Sequence, residues 1–165
     1  VFHYSEIKLG RKELLEYYCK KYPYVALGGV AATVRNPVIK KKYFGYCFSV
    51  GRKYNTKFHG FGVTDEESLM TYPWYSVDST SWLGGAKFAR VYKFVNGRLD
   101  AFELKLSKGV EKHIVSWFKL SNPLQYVDLE KTEYVARCKQ NIRAFSEWED
   151  YLTRLWEKRG IIWKN

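Results

Sequence analysis

Hydrophobic and polar positions change period several times along the chain, and each change predicts an element. "VFHYS" (1–5) is a short apolar run of β-prone residues and reads as a buried strand. In "GRKELLEYYCKKY" (10–22), Leu14, Leu15, Tyr18, Cys19 and Tyr22 fall at i, i+1, i+4, i+5 and i+8, one face of a helix. "PYVALGG" (23–29) predicts a strand ending in two glycines, with a loop over 30–36 closed by Pro37. "VIKKKYFGYCFSVGRKY" (38–54) has a helical pattern, against which Gly45 and Gly51 count. "KFHGFGV" (57–63) predicts a third strand, "DEESLMTY" (65–72) a short helix with acids in its first turn, and "YSVDST" (75–80) a fourth strand.

This alternation of strand and helix implies parallel strands joined by crossover helices. In such folds ligands bind at the carboxyl ends of the strands. There the chain carries His3, Gly28-Gly29, His59-Gly60 and Asp78. Beyond Asp78 the pattern changes. "ARVYKFVNGRLDAFELKL" (89–106) alternates around Asn96-Gly97, a strong hairpin signal. Lys112 to Lys119 reads as a strand or a short helix, and "SNP" (121–123) as a turn. A long helix is predicted from Leu129 to Arg159, its apolar stripe being Val135, Cys138, Ile142, Phe145, Trp148, Leu152 and Trp156, with Gly160 as the stop.

The expected fold class is α/β: half of a TIM-type (β/α)8 barrel in residues 1–88, with a hairpin and a long C-terminal helix in 89–165 packed on it as one structural unit. Half a barrel exposes strand edges and one side of its core. Together with the abrupt start at Val1, this predicts a completing partner: an upstream half, a second copy or another subunit.

Net charge is +11, from 28 Lys and Arg against 17 Asp and Glu. Such a surface suits a polyanion such as nucleic acid, or simply a soluble basic domain. Aromatic residues make up 18% of the chain, and rings among cations suit stacking on unpaired bases. No apolar run approaches the roughly 20 residues of a membrane span, so no membrane partner is expected. Cys19, Cys47 and Cys138, and His3, His59 and His113, lack metal-ligand or redox spacing. They predict reduced thiols, no metal, and a cytoplasmic, intracellular setting.

"YVALGGVA", "KFHGFGVT" and "YPWYSVDSTSWL", in that order, resemble the C-terminal half of the queuine/archaeosine tRNA-guanine transglycosylase superfamily. They look most like its phage and bacterial relatives associated with 7-deazaguanine modification of DNA. The resemblance covers Val1 to about Phe94 and is looser beyond. It implies a TIM-barrel enzyme that exchanges guanine for a 7-deazaguanine base, its co-substrate, with no other cofactor. It implies Asp78 as the nucleophile at ribose C1′, Gly28, Gly29, Val30 and Ala31 as the base-recognition loop, His59 or Phe61 lining the base pocket, and His3 meeting the base edge. Lys87 and Arg90, just beyond the nucleophile, would hold flanking phosphates. Such an enzyme of phage origin would act inside the host cell.

The residue types suit that chemistry. A carboxylate can attack a sugar carbon and stabilise an oxocarbenium-like transition state. Glycine lets backbone approach a planar base, and rings sandwich a base removed from its stack. Each residue also has a plainer reading: Asp78 as a turn-capping acid, Gly28-Gly29 as a tight βα turn, His59 and His3 as hydrogen-bonded core histidines, Trp74, Tyr75 and Trp82 as core, Lys40 to Lys42 as a solvated helix face. Departures from the family pattern are equally specific. The clustered Cys and His that hold zinc in the tRNA enzymes have no counterpart, which favours DNA over tRNA. The family's other essential acids belong to the first half of its barrel, and its Pro-Thr-Arg run after the nucleophile is replaced by "STSWLGG". The alternative expectation is a non-catalytic nucleic-acid-binding or assembly subunit on an incomplete barrel.

Overall fold

The computed structural model describes residues 1–30, 34–103 and 133–163. Ala31, the segment 112–119, the "SNP" turn and the predicted start of the long helix lie outside them. The chain divides into two compact units, Val1–Ser79 with Ile161–Asn165, and Thr80–Gly160. The sequence pattern drew its boundary later, after residue 88.

The first unit runs β1 (Phe2–His3), α1 (Tyr4–Lys8), α2 (Glu13–Lys21), β2 (Tyr24–Gly28), α3 (Pro37–Tyr54), β3 (Lys57–Gly60), α4 (Glu66–Thr71) and β4 (Ser76–Val77). The strands form one parallel sheet in the order β1-β2-β3-β4. The predicted βα alternation is therefore present, with shorter strands. The first strand gives way to α1 at Tyr4, and the third stops at Gly60, where Gly62 takes a positive φ of 66°.

Local chemistry explains the helices. In α2, Glu13 and Glu16 occupy the first turn and Lys20 and Lys21 the last, complementing the helix dipole. In α3, Asn36 accepts from the Val38 and Ile39 N–H groups, Pro37 opens the helix, and Asn55 ends it at φ 54°. Asp65 caps α4 by accepting from Ser68 N–H at 3.0 Å. Gly51 does not break α3, because the helix needs it: a Cβ there would lie 2.2 Å from Phe58 Cε2. Alternation along the strands sends Phe2, Val25, Leu27 and Phe58 into the core. They join Leu15, Tyr43, Phe44, Cys47, Leu69 and Trp74, all buried. Phe44 and Phe48 meet Trp74 edge-on at 4.9 and 4.8 Å, and Phe48 meets Phe58 at 5.1 Å. Burial raises the pKa of the Cys47 thiol well above its ordinary value.

The second unit contains α5 (Ser81–Lys87), β5 (Arg90–Val95), β6 (Arg98–Glu103) and α6 (Glu133–Lys158). The hairpin forms about Asn96 and Gly97, both at positive φ (49° and 90°), as that dipeptide predicts. α5 was not anticipated from the sequence pattern; Gly85 within it is required, since a Cβ would meet the Tyr92 ring at 2.7 Å. The stripe expected on the long helix is partly corrected. Trp148 is buried as predicted, but Val135 and Ile142 are exposed, and Ala136, Gln140, Asn141 and Ala144 are buried in their place. The reason is polar. Asn141 accepts from Tyr92 N–H at 2.9 Å and donates to the carbonyls of Trp82 and Arg90 at 2.8 and 3.2 Å. Gln140 donates to the Tyr92 carbonyl at 3.0 Å.

Candidate active site

One face of the parallel sheet faces the core, and its opposite face carries polar groups. The register sets His3 beside Gly28, Tyr24 beside Lys57, and His59 beside Ser76. Asp78 follows two residues after Ser76, so it extends the same row. Its N–H donates to the Gly60 carbonyl at 3.2 Å, which continues the ladder past β4. The carboxyl end of the sheet thus gathers His3, Gly28, Gly29, His59, Phe61 and Asp78.

The Asp78 side chain is 56% exposed and held at one oxygen: Oδ1 accepts from Gly62 N–H at 2.7 Å. Oδ2 lies 3.7 Å from His59 Nε2. The other ring nitrogen, Nδ1, is 2.8 Å from Ser76 Oγ, which is itself 2.6 Å from the Tyr24 hydroxyl. The His59 side chain is 17% exposed. Phe61 abuts its ring edge-on at 4.8 Å and is itself 40% exposed.

The two glycines are required here. A Cβ on Gly28 would lie 2.9 Å from the His3 ring and 3.4 Å from Phe61. Gly29 has φ 74°, and a Cβ there would press on Tyr4 N–H at 3.4 Å. His3 is exposed beside this backbone. Val30, in contrast, is 3% exposed and lines a cavity of about 180 Å³ with Phe44, Val63, Lys40 and Asp65. Asp65 there is paired with Lys40 at 2.9 Å; burial pushes its carboxyl up, but bonds from Lys40 and Ser68 outweigh this and hold it below the ordinary value. Lys41 pairs with Glu67 at 3.5 Å.

Lys87 and Arg90 belong to the second unit. Lys87 ends α5 with its ammonium over the Phe88 ring, and Arg90 opens β5 bonded to Glu103 at 2.8 Å. Among the rings left open by sequence, Trp74 is core, 7% exposed, with its indole N–H donating to the Ser68 carbonyl. Tyr75 instead meets Tyr24 and Trp163 edge-on at 5.3 and 5.6 Å, with Lys57 Nζ 4.4 Å from its centroid. Ser76 and Tyr24 were missed by sequence reasoning. Their signal was the alternation itself, which aligns Tyr24, His59, Ser76 and Asp78 on one face.

Chemically, the row offers an accessible carboxylate with one oxygen fixed, an imidazole beside the other, and an apolar ring next to bare glycine backbone. Among the described residues no cluster of His, Cys, Asp and Glu is arranged to hold a metal, and no helix is long and apolar enough to cross a membrane. No protein-family model, curated protein or solved structure matches the chain.

Proposed function

We propose that the protein is a guanine transglycosylase-like enzyme that exchanges a guanine in nucleic acid, DNA rather than tRNA, for a 7-deazaguanine base. The observation that carries this reading is the exposed Asp78 carboxylate, anchored through Oδ1 and beside glycine backbone and exposed rings. The sequential order of the four parallel strands supports the winding of a (β/α)8 barrel. Four strands are half of such a barrel, so a partner of the same winding would complete it.

In the first step Asp78 Oδ2 bonds to deoxyribose C1′, and guanine departs with the electron pair of the glycosidic bond and takes a proton from solvent. Gly62 N–H and His59 counter the charge changes at the carboxylate. In the second, a ring nitrogen of the 7-deazaguanine bonds to C1′ and gives up a proton, and the carboxylate is released. Phe61 and the backbone of Gly28-Gly29 would receive the flat base, with His3 at its edge.

The test is Asp78→Asn, which keeps the acceptor for Gly62 N–H. Incorporation of labelled 7-deazaguanine into guanine-containing DNA should fall by at least about 10³-fold, and the wild-type covalent DNA adduct should vanish. Exchange near the wild-type rate in the variant would refute the assignment. A second reading is a binding or assembly subunit, favoured by Asp78 being the one carboxylate in the described row while Asp65 is engaged by Lys40. It predicts no exchange in either protein and DNA binding that Asp78→Asn leaves unchanged.

A further inference from the structure

The side chains of Tyr24, Ser76 and His59 form a line that ends at Asp78, and its end fixes its direction. An ionised carboxylate only accepts hydrogen bonds. A neutral His59 facing Asp78 Oδ2 therefore carries its proton on Nε2, and Nδ1 becomes an acceptor. Ser76 O–H then donates to Nδ1 across 2.8 Å, and Tyr24 O–H donates to Ser76 Oγ across 2.6 Å. Every donor points toward Asp78, and the Ser76 hydroxyl both receives a proton from Tyr24 and gives one to His59.

We infer that His59 is a positioning residue for Asp78, with its tautomer set by Ser76 and Tyr24, and is not a wall of the base pocket. Its kinetic consequence rests on the base-exchange reading; the tautomer does not. Nδ1 is bonded to Ser76 and Nε2 faces the Asp78 carboxylate, so both ring nitrogens are turned to members of the row. Phe61, 40% exposed and edge-on to the imidazole, is the ring available to a flat base. The groups that face His59 are Tyr24 from β2, Ser76 from β4 and Asp78 beyond it, with Phe61 following on its own chain. The 3.7 Å between Nε2 and Oδ2 is longer than a hydrogen bond. Contacts of this kind tighten when substrate excludes water. With Gly62 holding Oδ1, Nε2–H then keeps the carboxylate turned so that Oδ2 faces the sugar.

Nitrogen-15 NMR of the imidazoles in the full chain should find neutral His59 as the Nε2–H tautomer, and a tautomer mixture in Ser76→Ala. The Nδ1–H form in the wild type, or no change in Ser76→Ala, overturns the inference. In exchange assays with labelled 7-deazaguanine and DNA, His59→Phe keeps a ring but no donor and should lower kcat about 10- to 100-fold with KM unchanged. His59→Gln, whose amide N–H reaches the Nε2 position, should recover to within about 5-fold of wild type. A near-normal His59→Phe, or a raised KM with unchanged kcat in either variant, would make the ring a pocket wall. If Asp78→Asn exchanges normally, the base-exchange reading fails, and the tautomer measurement still decides the line.

Discussion

Replacing Gly51 with alanine tests how α3 is seated on the strand that carries His59. The added methyl would lie 2.2, 2.8 and 3.2 Å from three atoms of the Phe58 ring. Carbon atoms prefer roughly 3.5–4.0 Å, so the nearest contact is short by more than about 1 Å. Phe58 is 1% exposed and braced by Phe48 at 5.1 Å, so its ring has little room to swing away. Overpacking of this kind costs about 1–3 kcal/mol. Alanine returns about 1 kcal/mol of helix propensity over glycine, which leaves a net loss of up to about 2 kcal/mol. Gly45 in the same helix is the control. A Cβ there meets nothing nearer than the Tyr72 hydroxyl at 3.6 Å, so Gly45→Ala should gain about 0.5–1 kcal/mol. Urea unfolding followed by tryptophan fluorescence gives both values. Opposite signs are expected, and Phe58→Leu in the Gly51→Ala background should recover part of the loss. If Gly51→Ala stabilises as much as Gly45→Ala, the close approach of α3 to β3 is wrong.

Acid should weaken the first unit through Glu16. The Tyr54 hydroxyl and then Lys53 bond its carboxylate and hold its pKa down to about 2, against an ordinary 4.5. A depressed carboxyl stabilises the fold above its unfolded value, and that contribution is lost as pH falls from about 4.5 toward 2. Urea midpoints should therefore drop across this window, and less steeply in Glu16→Gln; an unchanged slope would remove Glu16 from the linkage. In the second unit, Asn141→Leu strands one N–H and two carbonyls in a site that is 0% exposed, costing roughly 2–4 kcal/mol. Thermal unfolding by circular dichroism would measure it, and a loss below about 0.5 kcal/mol would mean that other partners replace the amide.

The parts that were legible from sequence are those fixed by short-range chemistry. Asn36-Pro37 opens α3, Asp65 opens α4 and Asn96-Gly97 turns the hairpin, each by a local rule that tertiary packing did not override. The parts that misled were glycines and one helix face. Gly51 counted against a helix, yet it is the position where α3 closes on a ring, and that ring, Phe58, lies 7 residues on across a turn no pattern specifies; Gly85 meets Tyr92 in the same way. Asn141 was not in the predicted stripe because a periodic count ranks residues by hydrophobicity, and it has no means of seeing three backbone groups left by a neighbouring strand and helix.

The site shows the same division. The strand-end rule brought His3, Gly28, His59 and Asp78 to one edge without any knowledge of distances. It did not bring Ser76 and Tyr24, because they stand upstream of the strand ends, and strand-end reasoning looks only there. A buried parallel strand ordinarily reads as a continuous apolar run. Here β2, β3 and the chain around β4 instead alternate, with Tyr24, Lys57, His59, Ser76 and Asp78 all on the face away from the core. Such alternation leaves a parallel sheet with a polar face whose hydroxyls and imidazole satisfy one another in a row. Asp78 is where that row ends, and its side chain is more than half exposed while one oxygen remains turned toward the His59 ring.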